Sequence, residues 1–372
     1  MANSRKEFST LGIFLLGFLY ARVAVTVARS VPQDERRYTI NNKRSISTVL
    51  SDQGDSVDCV DLYMQPAFTH PLLRNHTVQM RPTVFPEETP QKTTALGHEH
   101  YSQHALLKSW SCPEGTIPVL RTTRTQTAAS PTDSTDVDPT HEVKARVNLV
   151  LLKTDYDGAF QGGSGVINIW NPHTEPNEFS SSKVLLKRDD EFIHCGWMGA
   201  NGKGCYNLDC PGFVQVSHKV ALGAFFTTIS QRDGPAYTAN FTVFKDPKDG
   251  NWWFVYQGES LGYWPGILFS RLRGSAGTVE WGGEVINANP AGPHTTTQMG
   301  SGAFPGEGFR RASVLSNAAV VDLNYRKSDP KYYGYQVDKP KCYDILDQHD
   351  RRGKPLEYYF FYGGPGLNPN CK

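Results

Sequence analysis

One carboxylate stands out as a candidate for chemistry. Glu284 lies in the string Trp281-Gly-Gly-Glu284-Val285, and ten residues later a Gly- and Thr-rich turn begins, His294-Thr-Thr-Thr-Gln298-Met-Gly-Ser-Gly302. A carboxylate on a short strand can activate water for amide hydrolysis when an acid or an oxyanion stabiliser accompanies it. An isolated glutamate is more commonly a solvated strand residue, so the surrounding motifs must decide.

A histidine cluster offers a second possibility. His98, His100 and His104 lie close together, and the last two are at i and i+4, which places them on one face of a helix. The string lacks the His-Glu-x-x-His spacing of metal-dependent peptidases. It therefore predicts a His-rich amphipathic helix without a bound metal, and no other motif calls for a cofactor.

Composition narrows the class of protein. The 372 residues carry 38 Lys and Arg against 37 Asp and Glu, a net charge of +1 that indicates neither a nucleic-acid nor a membrane partner. The chain has 34 Gly, 24 Pro and only 38% hydrophobic residues, which favours many short strands joined by tight turns. Its length predicts two domains, or one large β domain with an extension.

The N-terminus has the pattern of a secretory signal peptide. Arg5 and Lys6 precede an apolar run over residues 11–20, and small residues follow through Ala24 and Ala28. The run is too short to cross a bilayer, so the sequence predicts a signal peptide over residues 1–28 rather than a membrane anchor. The expected location is outside the cell or in the cell wall, with the vacuole as an alternative.

Secretion makes the seven cysteines readable as disulfide partners. No second pair of the kind that builds a zinc site is present, which favours structural bonds. Secretion also turns the two sequons, at Asn75 and Asn240, into predicted glycosylation sites. Spacing predicts one free cysteine, Cys195, and the pairs Cys59–Cys112, Cys205–Cys210 and Cys342–Cys371.

Most of the chain has the pattern of β-structure. Residues 122–140 hold almost nothing that could be buried, which predicts a linker between a block at 29–121 and a domain at 141–372. After the linker, short apolar runs alternate with turn signals and predict an antiparallel β-sandwich of jelly-roll type, preceded by a small mixed domain. The predicted strands cover residues 143–150, 165–170, 213–216, 224–229, 237–244 and 251–256.

Aromatic strings raise the question of a groove. Asn251-Trp252-Trp253 and Gly262-Tyr263-Trp264-Pro265 fall on or beside predicted strands, where aromatic residues usually belong to the core. Side chains alternate between the two faces of a strand, so half of these aromatics could line a cleft instead.

Taken together, the strings resemble those of the neprosin family of plant secreted glutamic peptidases. The resemblance covers about residues 50–372 and implies an inhibitory activation peptide followed by a β-sandwich peptidase domain. The activation-peptide strings are Asp58-Cys-Val-Asp61, Gln65-Pro-Ala-Phe68, His70-Pro-Leu-Leu73 and Cys112-Pro-Glu-Gly-Thr-Ile-Pro118. The peptidase strings are Gly204-Cys-Tyr-Asn-Leu-Asp-Cys-Pro-Gly-Phe213, Gly250-Asn-Trp-Trp253, Gly262-Tyr-Trp-Pro265, Trp281-Gly-Gly-Glu-Val285 and the turn from His294 to Gly302.

The resemblance also implies where the catalytic residues lie. In the family, two glutamates face each other across a groove and cut after proline at acidic pH. One belongs to the Trp-Gly-Gly-Glu-Val string, here Glu284, and the other to a string of the form Ile-Glu-Ala-Gly-Trp. This chain reads Ile193-His194-Cys195-Gly196-Trp197, so His194 stands in place of the second glutamate. The predicted groove residues are Trp197, Tyr263, Trp264, His294 and Gln298.

A second departure follows directly after Trp197. The family has a longer, aromatic-rich segment before the Gly-Cys-Tyr-Asn string, where this chain has only residues 198–203. Part of the groove wall is therefore expected to be missing. A mistaken gene model is an alternative explanation for the short segment, although it does not account for His194.

The replacement at position 194 bears on activity. Two close carboxylates can share one proton and so supply both acid and base, whereas a histidine is expected to be cationic in acid and to weaken Glu284 as a base. Glu191 is expected on the other face of the strand and is no substitute. The predicted function is a neprosin-like post-proline endopeptidase with an impaired pair, secreted as a zymogen. Its partners are its own propeptide and a peptide or protein substrate, with Pro-rich chains favoured.

Two alternatives stay open at this point. One is an inactive pseudopeptidase that binds extracellular peptides through the retained groove. The other is a carbohydrate-binding sandwich, because groove aromatics on jelly rolls often serve that purpose.

Overall fold

The computed structural model describes residues 22–28, 45–50, 56–88, 103–104, 112–121, 145–154, 158–199, 206–209, 211–348 and 358–372. Within these ranges the chain forms strands and a few single-turn 3-10 helices. None of these helices is long and apolar enough to cross a membrane. The 3-10 helices are Leu62–Met64, Pro66–Thr69, Pro71–Leu73, Asn207–Asp209, Gly266–Leu268 and Pro305–Glu307.

The strands are numbered in chain order. They are β1 Arg22–Ala28, β2 Ser45–Leu50, β3 Ser56–Asp61, β4 Glu87–Glu88, β5 Gln103–His104, β6 Thr116–Leu120, β7 Arg146–Thr154, β8 Gly162–Asn168, β9 Ser180–Arg188, β10 Glu191–Gly199, β11 Val214–Gln215, β12 Tyr237–Lys245, β13 Trp252–Tyr256, β14 Glu259–Trp264, β15 Thr278–Asn287, β16 Ser313–Val321, β17 Arg326–Ser328, β18 Tyr333–Val337, β19 Asp344–Asp347 and β20 Tyr359–Gly363.

Two large sheets form the body of the protein. The six-stranded sheet has the order β1-β10-β9-β15-β7-β18. The eleven-stranded sheet has the order β11-β14-β13-β12-β8-β16-β17-β4, with β5, β19 and β20 attached to it. The long strands pair antiparallel, and the short strands β4 and β5 pair parallel with β17 and β12. The predicted antiparallel β-sandwich is confirmed.

Alternation along β15 decides which side chains fill the sandwich. Trp281 and Val285 are fully buried, and the Trp281 indole donates to the Ser164 carbonyl of the opposite sheet at 2.8 Å. A Cβ at Gly163 in that sheet would lie 2.6 Å from Val279, so the sheets approach closely there. Because neighbouring residues in a strand face opposite ways, the glutamates of β15 point to the outer face.

Most predicted strands are present with shifted bounds, and residues 224–229 are the exception. Here the Ala224 N–H donates to the Ala221 carbonyl in a turn. Both alanines pack against the Cys59–Cys112 disulfide. Ala224 is therefore buried against the N-terminal block, whereas Phe226 packs on Tyr256 of the sandwich.

The N-terminal block has its own sheet but no separate core. Strands β2, β3 and β6 pair with each other, and the predicted Cys59–Cys112 disulfide links the block internally. Val60, Leu73 and Ile117 nevertheless belong to the same hydrophobic cluster as the sandwich core. The block therefore shares its core with the sandwich, because three short strands bury little apolar surface unless they pack against another body.

The predicted signal peptide supplies an edge strand. β1 runs antiparallel to β10, from Arg22 opposite Met198 to Ala28 opposite Phe192. Removal of residues 1–28 would take this strand away and leave that edge of β10 without a partner. Cleavage near Ala28 stays a prediction.

Other sequence predictions fall partly outside the described ranges. The linker at 122–140, the Cys205–Cys210 pair, and His98 and His100 all lie there. His104 is described, and it lies on β5 beside β12 rather than on a helix, so the predicted helix is wrong at this end. The Cys342–Cys371 disulfide is present as predicted, and Cys195 is free and buried.

The two sequons differ in accessibility. Asn75 is exposed in a turn that follows the third 3-10 helix. Asn240 is half-buried on β12, where the Thr242 hydroxyl donates to its side-chain oxygen at 3.2 Å. Glycosylation at either position stays a prediction.

Candidate active site

The outer face of the six-stranded sheet holds Glu284. Strand β15 lies between β9 and β7, with Glu284 opposite Ser181 on one side and Leu149 on the other. Its side chain is largely buried, with 14% exposure. Alternation makes Glu280, Gly282, Glu284 and Ile286 share this outer face.

Lys183 of β9 is the direct partner of Glu284. Its ammonium donates to the Glu284 Oε2 in an ion pair, and the lysine side chain is only 9% exposed. Sequence reasoning missed this lysine. Strand alternation does place residues 181, 183, 185 and 187 on one face of β9. It does not show that β9 pairs with β15, which lies about a hundred residues further along the chain.

Glycines flank Lys183 on both neighbouring strands. The register places Gly196 of β10 opposite Lys183 on one side and Gly282 of β15 opposite it on the other. A Cβ at Gly196 would lie 1.9 Å from the Ser182 carbonyl oxygen, and one at Gly282 would lie 2.1 Å from the Val150 carbonyl oxygen. No side chain fits at either glycine, so Lys183 lies in a shallow trough across three strands.

A second ion pair lies on the same face. Lys187 and Glu280 are joined at 2.7 Å, and Glu280 is 5% exposed. Glu280 and Glu284 are four residues apart on β15, so their backbones are roughly 13 Å apart at the usual rise of a strand. The two carboxylates each hold a lysine and do not form a pair with each other.

His194 lies on the same outer face as Glu284, but it is not placed where it could be a partner of Glu284. It lies opposite Leu185 of β9, which in turn lies opposite Glu280, so it is displaced by four residues along the strand from the level of Glu284. The expectation that His194 and Glu284 face each other does not match this register. Sequence alone does not give the register between strands that are distant in the chain.

The environment of His194 is that of a neutral ring. Burial lowers its pKa well below the usual value, and the charge of Lys183 lowers it further. The ring packs edge-on against Phe192 at 5.9 Å, and its Nδ1 is buried without a hydrogen-bond partner among the described residues. Both effects oppose the cationic histidine that the sequence predicts in acid, and its charge state at acidic pH stays a prediction.

An apolar cluster borders Glu284 on the outer face. Phe179, Met198 and Tyr206 pack together there, with Ile286 against them. Burial and the negative charge of Glu284 raise the pKa of the Tyr206 hydroxyl to about 12. The tyrosine therefore stays protonated over the physiological range. The apolar cluster beside Glu284 limits the access of water to its carboxylate.

Three of the predicted groove aromatics lie elsewhere. Trp197 points into the sandwich, where its indole donates to the Asn168 carbonyl at 3.0 Å. Trp264 is also in the core, edge-on to Phe213 at 4.9 Å. Tyr263 is fully buried on the outer face of the other sheet. Strand alternation predicted that half of such side chains point away from the core. It did not predict which outer face they would lie on, or which segment would cover that face.

The other two predicted groove residues are also not beside Glu284. His294 is buried against Tyr343 with its Nδ1 3.1 Å from the Thr295 carbonyl, and burial lowers its pKa. It adjoins the Cys342–Cys371 sulfurs, which are bonded to each other and offer no thiolate to a metal. Gln298 accepts from the His173 N–H at 3.0 Å and fixes a loop crossing.

Glu191 lies on the inner face, as its spacing from His194 predicted. Its carboxylate accepts hydrogen bonds from the Ser270 hydroxyl and from the backbone N–H groups of Ser270, Arg271 and Leu272. Burial alone would raise its pKa, but these hydrogen bonds outweigh burial and leave the pKa lowered. The residue anchors a loop and takes no part in the Glu284 site.

The arrangement supports limited chemistry. Among the described residues, Glu284 has a single polar partner, the ammonium of Lys183. That ammonium occupies the Oε2 of Glu284. No described carboxylate is placed to share a proton with it, which a two-carboxylate hydrolysis requires.

The protein is thus a two-sheet antiparallel sandwich that carries a glutamate on the outer face of one sheet. The sequence model of the Neprosin family matches residues 179–365, and that of the Neprosin activation peptide matches residues 48–148. The chain therefore belongs to the neprosin family, and it combines an activation peptide with a peptidase-type domain.

Solved structures show a fainter likeness. One is SCP-B, a member of the eqolisin family of peptidases in complex with the tripeptide Ala-Ile-His, at 10% identity and a TM-score of 0.32. Another is scytalido-glutamic peptidase with a transition-state analogue inhibitor, at 11% identity and the same TM-score of 0.32. Each alignment covers 60% of this chain and 100% of the other.

Proposed function

We propose that this chain is a secreted neprosin-family zymogen whose peptide-cleaving chemistry is disabled, and that it acts by binding peptides. The observation that carries the proposal is the ion pair between Lys183 and Glu284, which occupies the one carboxylate available for hydrolysis. Family membership supplies the expectation of a peptide ligand, and the pattern of residues 1–28 supplies that of export.

The ion pair opposes both roles that a paired glutamate would have. A base must take up a proton from water, and Glu284 would lose its attraction to Lys183 on doing so. An acid must hold a proton in the ground state, and the Lys183 ammonium already donates to one of the two oxygens that could carry it. The pair is largely buried, so water screens this attraction poorly.

His194 does not replace the missing acid. It is displaced along the strand from Glu284, and its ring is neutral because burial and Lys183 lower its pKa. A neutral imidazole with its Nδ1 buried is a poor source of protons for a leaving amine. Position 194 thus contributes packing to this face.

The outer face retains features suited to an extended peptide. The trough at Gly196, Lys183 and Gly282 has a floor of backbone, and the cluster that includes Phe179 and Tyr206 adjoins it. Phe179 is buried within that cluster and Tyr206 is half-buried, so the edge of Tyr206 is the aromatic surface that favours a Pro-containing peptide as ligand. The carbohydrate-binding alternative loses its main support, because Trp253 and Tyr263 are fully buried.

The test is a cleavage assay with matched variants. The purified full chain, with its linker cut, is incubated at about pH 4 with a Pro-containing peptide, and products are counted by mass spectrometry. The variants are Lys183→Gln, which releases Glu284, His194→Glu, the double substitution, and each of these combined with Glu284→Gln.

The wild type is expected to cleave no faster than its Glu284→Gln variant. His194→Glu and the double substitution should both stay at that level, because position 194 is displaced by four residues along the strand from Glu284 and cannot supply the second carboxylate. Cleavage by the wild type that disappears in Glu284→Gln would overturn the proposal and favour a functioning prolyl endopeptidase. Peptide binding is followed separately by fluorescence anisotropy, and its absence would overturn the binding role.

A further inference from the structure

One part of the outer face of the eleven-stranded sheet carries a row of fully buried aromatic side chains. Phe244 lies opposite Trp253, and Trp253 lies opposite Tyr263, so the three side chains form a row across β12, β13 and β14. Each is 0% exposed. A bare row of this kind would be a large apolar surface, which monomeric proteins seldom leave open to water.

Residues of the N-terminal block provide the cover. Phe85 packs on Phe244 with ring centroids 5.7 Å apart, and His76 packs on Tyr263 at the same separation of 5.7 Å. The Tyr263 hydroxyl lies 2.8 Å from the His76 Nε2 and accepts the Gln79 N–H at 2.9 Å. The phenol is therefore satisfied only by groups of the N-terminal block.

Polar contacts lock the same segment to the sheet. The Thr83 hydroxyl donates to Asp246 at 2.6 Å, its N–H donates to the same carboxylate, and Asp246 is 0% exposed. The Asn251 amide donates to the Gln79 side-chain oxygen at 2.9 Å. Without this segment the Asp246 carboxylate would lose the side-chain and backbone donors that Thr83 provides.

Gln65 extends the docking to the edge strand β11. Its side-chain amide donates to the Gln215 carbonyl at 3.1 Å and accepts the Gln215 N–H at 2.7 Å, so it mimics the pairing of another strand. Gln65 is 1% exposed. Buried hydrogen bonds of this kind are costly to leave unmade, which opposes separation of the two parts.

The covered face lies on the far side of the sandwich from Glu284. Tyr263 and Trp253 point outward from the eleven-stranded sheet, whereas Glu284 points outward from the six-stranded sheet. None of the described contacts of Gln65, His76, Gln79 or Thr83 reaches β9 or β15.

We infer that residues 56–88 and 112–121 are a permanent cover of this aromatic face, and that the protein stays together as two non-covalently bound chains after its linker is cut. The two parts share a hydrophobic core, and the described disulfides each lie within one part, Cys59–Cys112 in the cover and Cys342–Cys371 in the sandwich. Retention of the cover is independent of whether Glu284 is active.

The test uses the full chain with a recognition site for a specific protease inserted between Ala129 and Ser130. After complete cutting, the sample is passed over a gel-filtration column at neutral pH, and fractions are examined on a denaturing gel. Both fragments are expected in one peak at the volume of the uncut chain. Separate peaks, or an N-terminal fragment left in solution while the remainder precipitates, would overturn the inference.

A second measurement locates the cover. Hydrogen exchange of the cut protein is compared between the wild type and the variant Thr83→Ala with Phe85→Ala, with the exposed Leu72→Ala as a matched control in the same segment. The double variant should exchange at least tenfold faster in β13 and β14, with β9 and β15 unchanged. Faster exchange confined to β9 and β15 would show that the segment covers the Glu284 face and would overturn the inference.

Discussion

Glu191 and Glu284 are two buried glutamates of one sheet with opposite surroundings. Glu191 points inward from β10 and accepts hydrogen bonds from three consecutive residues, Ser270, Arg271 and Leu272. Glu284 points outward from β15 and has one partner, the flexible side chain of Lys183. The first carboxylate is held mainly by backbone groups, and the second by a group that a single substitution removes.

The comparison shows that the residue in the more recognisable sequence motif is not the one that contributes more to the fold. The backbone donors of Glu191 lie in the loop that follows β14 of the eleven-stranded sheet. Because Glu191 itself belongs to the six-stranded sheet, this carboxylate links the two sheets. Nothing in its sequence surroundings marks it. Glu284 stands in the most conspicuous string of the chain, yet its contact adds little to the framework. We therefore expect substitutions to damage folding more at Glu191 than at Glu284.

The largest effect is expected for Glu191→Ala. Removal of the carboxylate leaves buried N–H donors without an acceptor, which should lower the free energy of unfolding by about 3 kcal/mol. Urea titration followed by tryptophan fluorescence measures the loss. Glu191→Gln keeps one acceptor oxygen and should lose less, about 1–2 kcal/mol. A loss below about 0.5 kcal/mol in the alanine variant would show that the loop finds other acceptors.

The ion pair should show a smaller and non-additive effect. Lys183→Met or Glu284→Leu alone leaves one largely buried charge unpaired and should cost about 2 kcal/mol. The double variant should cost less than the sum by about 1–2 kcal/mol, because no unpaired charge remains. Denaturation of all four proteins in one buffer gives the coupling energy. Simple additivity would mean that the two side chains do not interact in solution.

His194 should make stability fall in acid. Its pKa is lowered in the folded protein, so the unfolded chain binds a proton first as the pH falls below about 6.5. The free energy of unfolding is therefore unaffected by this group above that pH and falls below it. The expected decrease is about 1 kcal/mol between pH 7 and pH 5.5. His194→Gln should show a shallower decline than the wild type, while His76 and His294 are common to both proteins and cancel. Parallel curves for the two proteins would contradict the assigned burial of the ring.

The smallest effect is expected at Cys195. Burial raises the pKa of this thiol well above its usual value, so iodoacetamide at pH 8 should label it only after unfolding. Cys195→Ala removes one buried atom and should cost less than about 1 kcal/mol. Mass spectrometry of labelled native and unfolded protein checks the first point. Labelling of the native protein would place the thiol at an accessible surface.

The sequence predicted the fold class and several contacts well, for physical reasons. Strand alternation and turn residues are local signals, and they were sufficient for β7, β8, β12 and β13. Cysteine spacing predicted the Cys59–Cys112 and Cys342–Cys371 bonds, and both are present. Local patterns also place Glu191 and His194 on opposite faces of one strand.

The site was harder to predict because it depends on register. Lys183 and Glu284 meet only because β9 and β15 pair with Gly282 opposite Lys183, and no local pattern contains that information. The aromatic groove was wrong for a related reason. Alternation placed Tyr263 and Trp264 on opposite faces correctly, but it did not reveal that the N-terminal block covers one face and the sandwich interior the other.

The glycines on either side of Lys183 give this site an evolutionary property. Backbone atoms crowd Gly196 and Gly282, so no side chain can be added at either glycine, and residue 183 decides which group the trough presents to Glu284. A lysine codon becomes a glutamate codon by changing its first base from A to G. That one mutation would set a carboxylate against Glu284 on a neighbouring strand, so a single nucleotide change would give this protein a carboxylate pair.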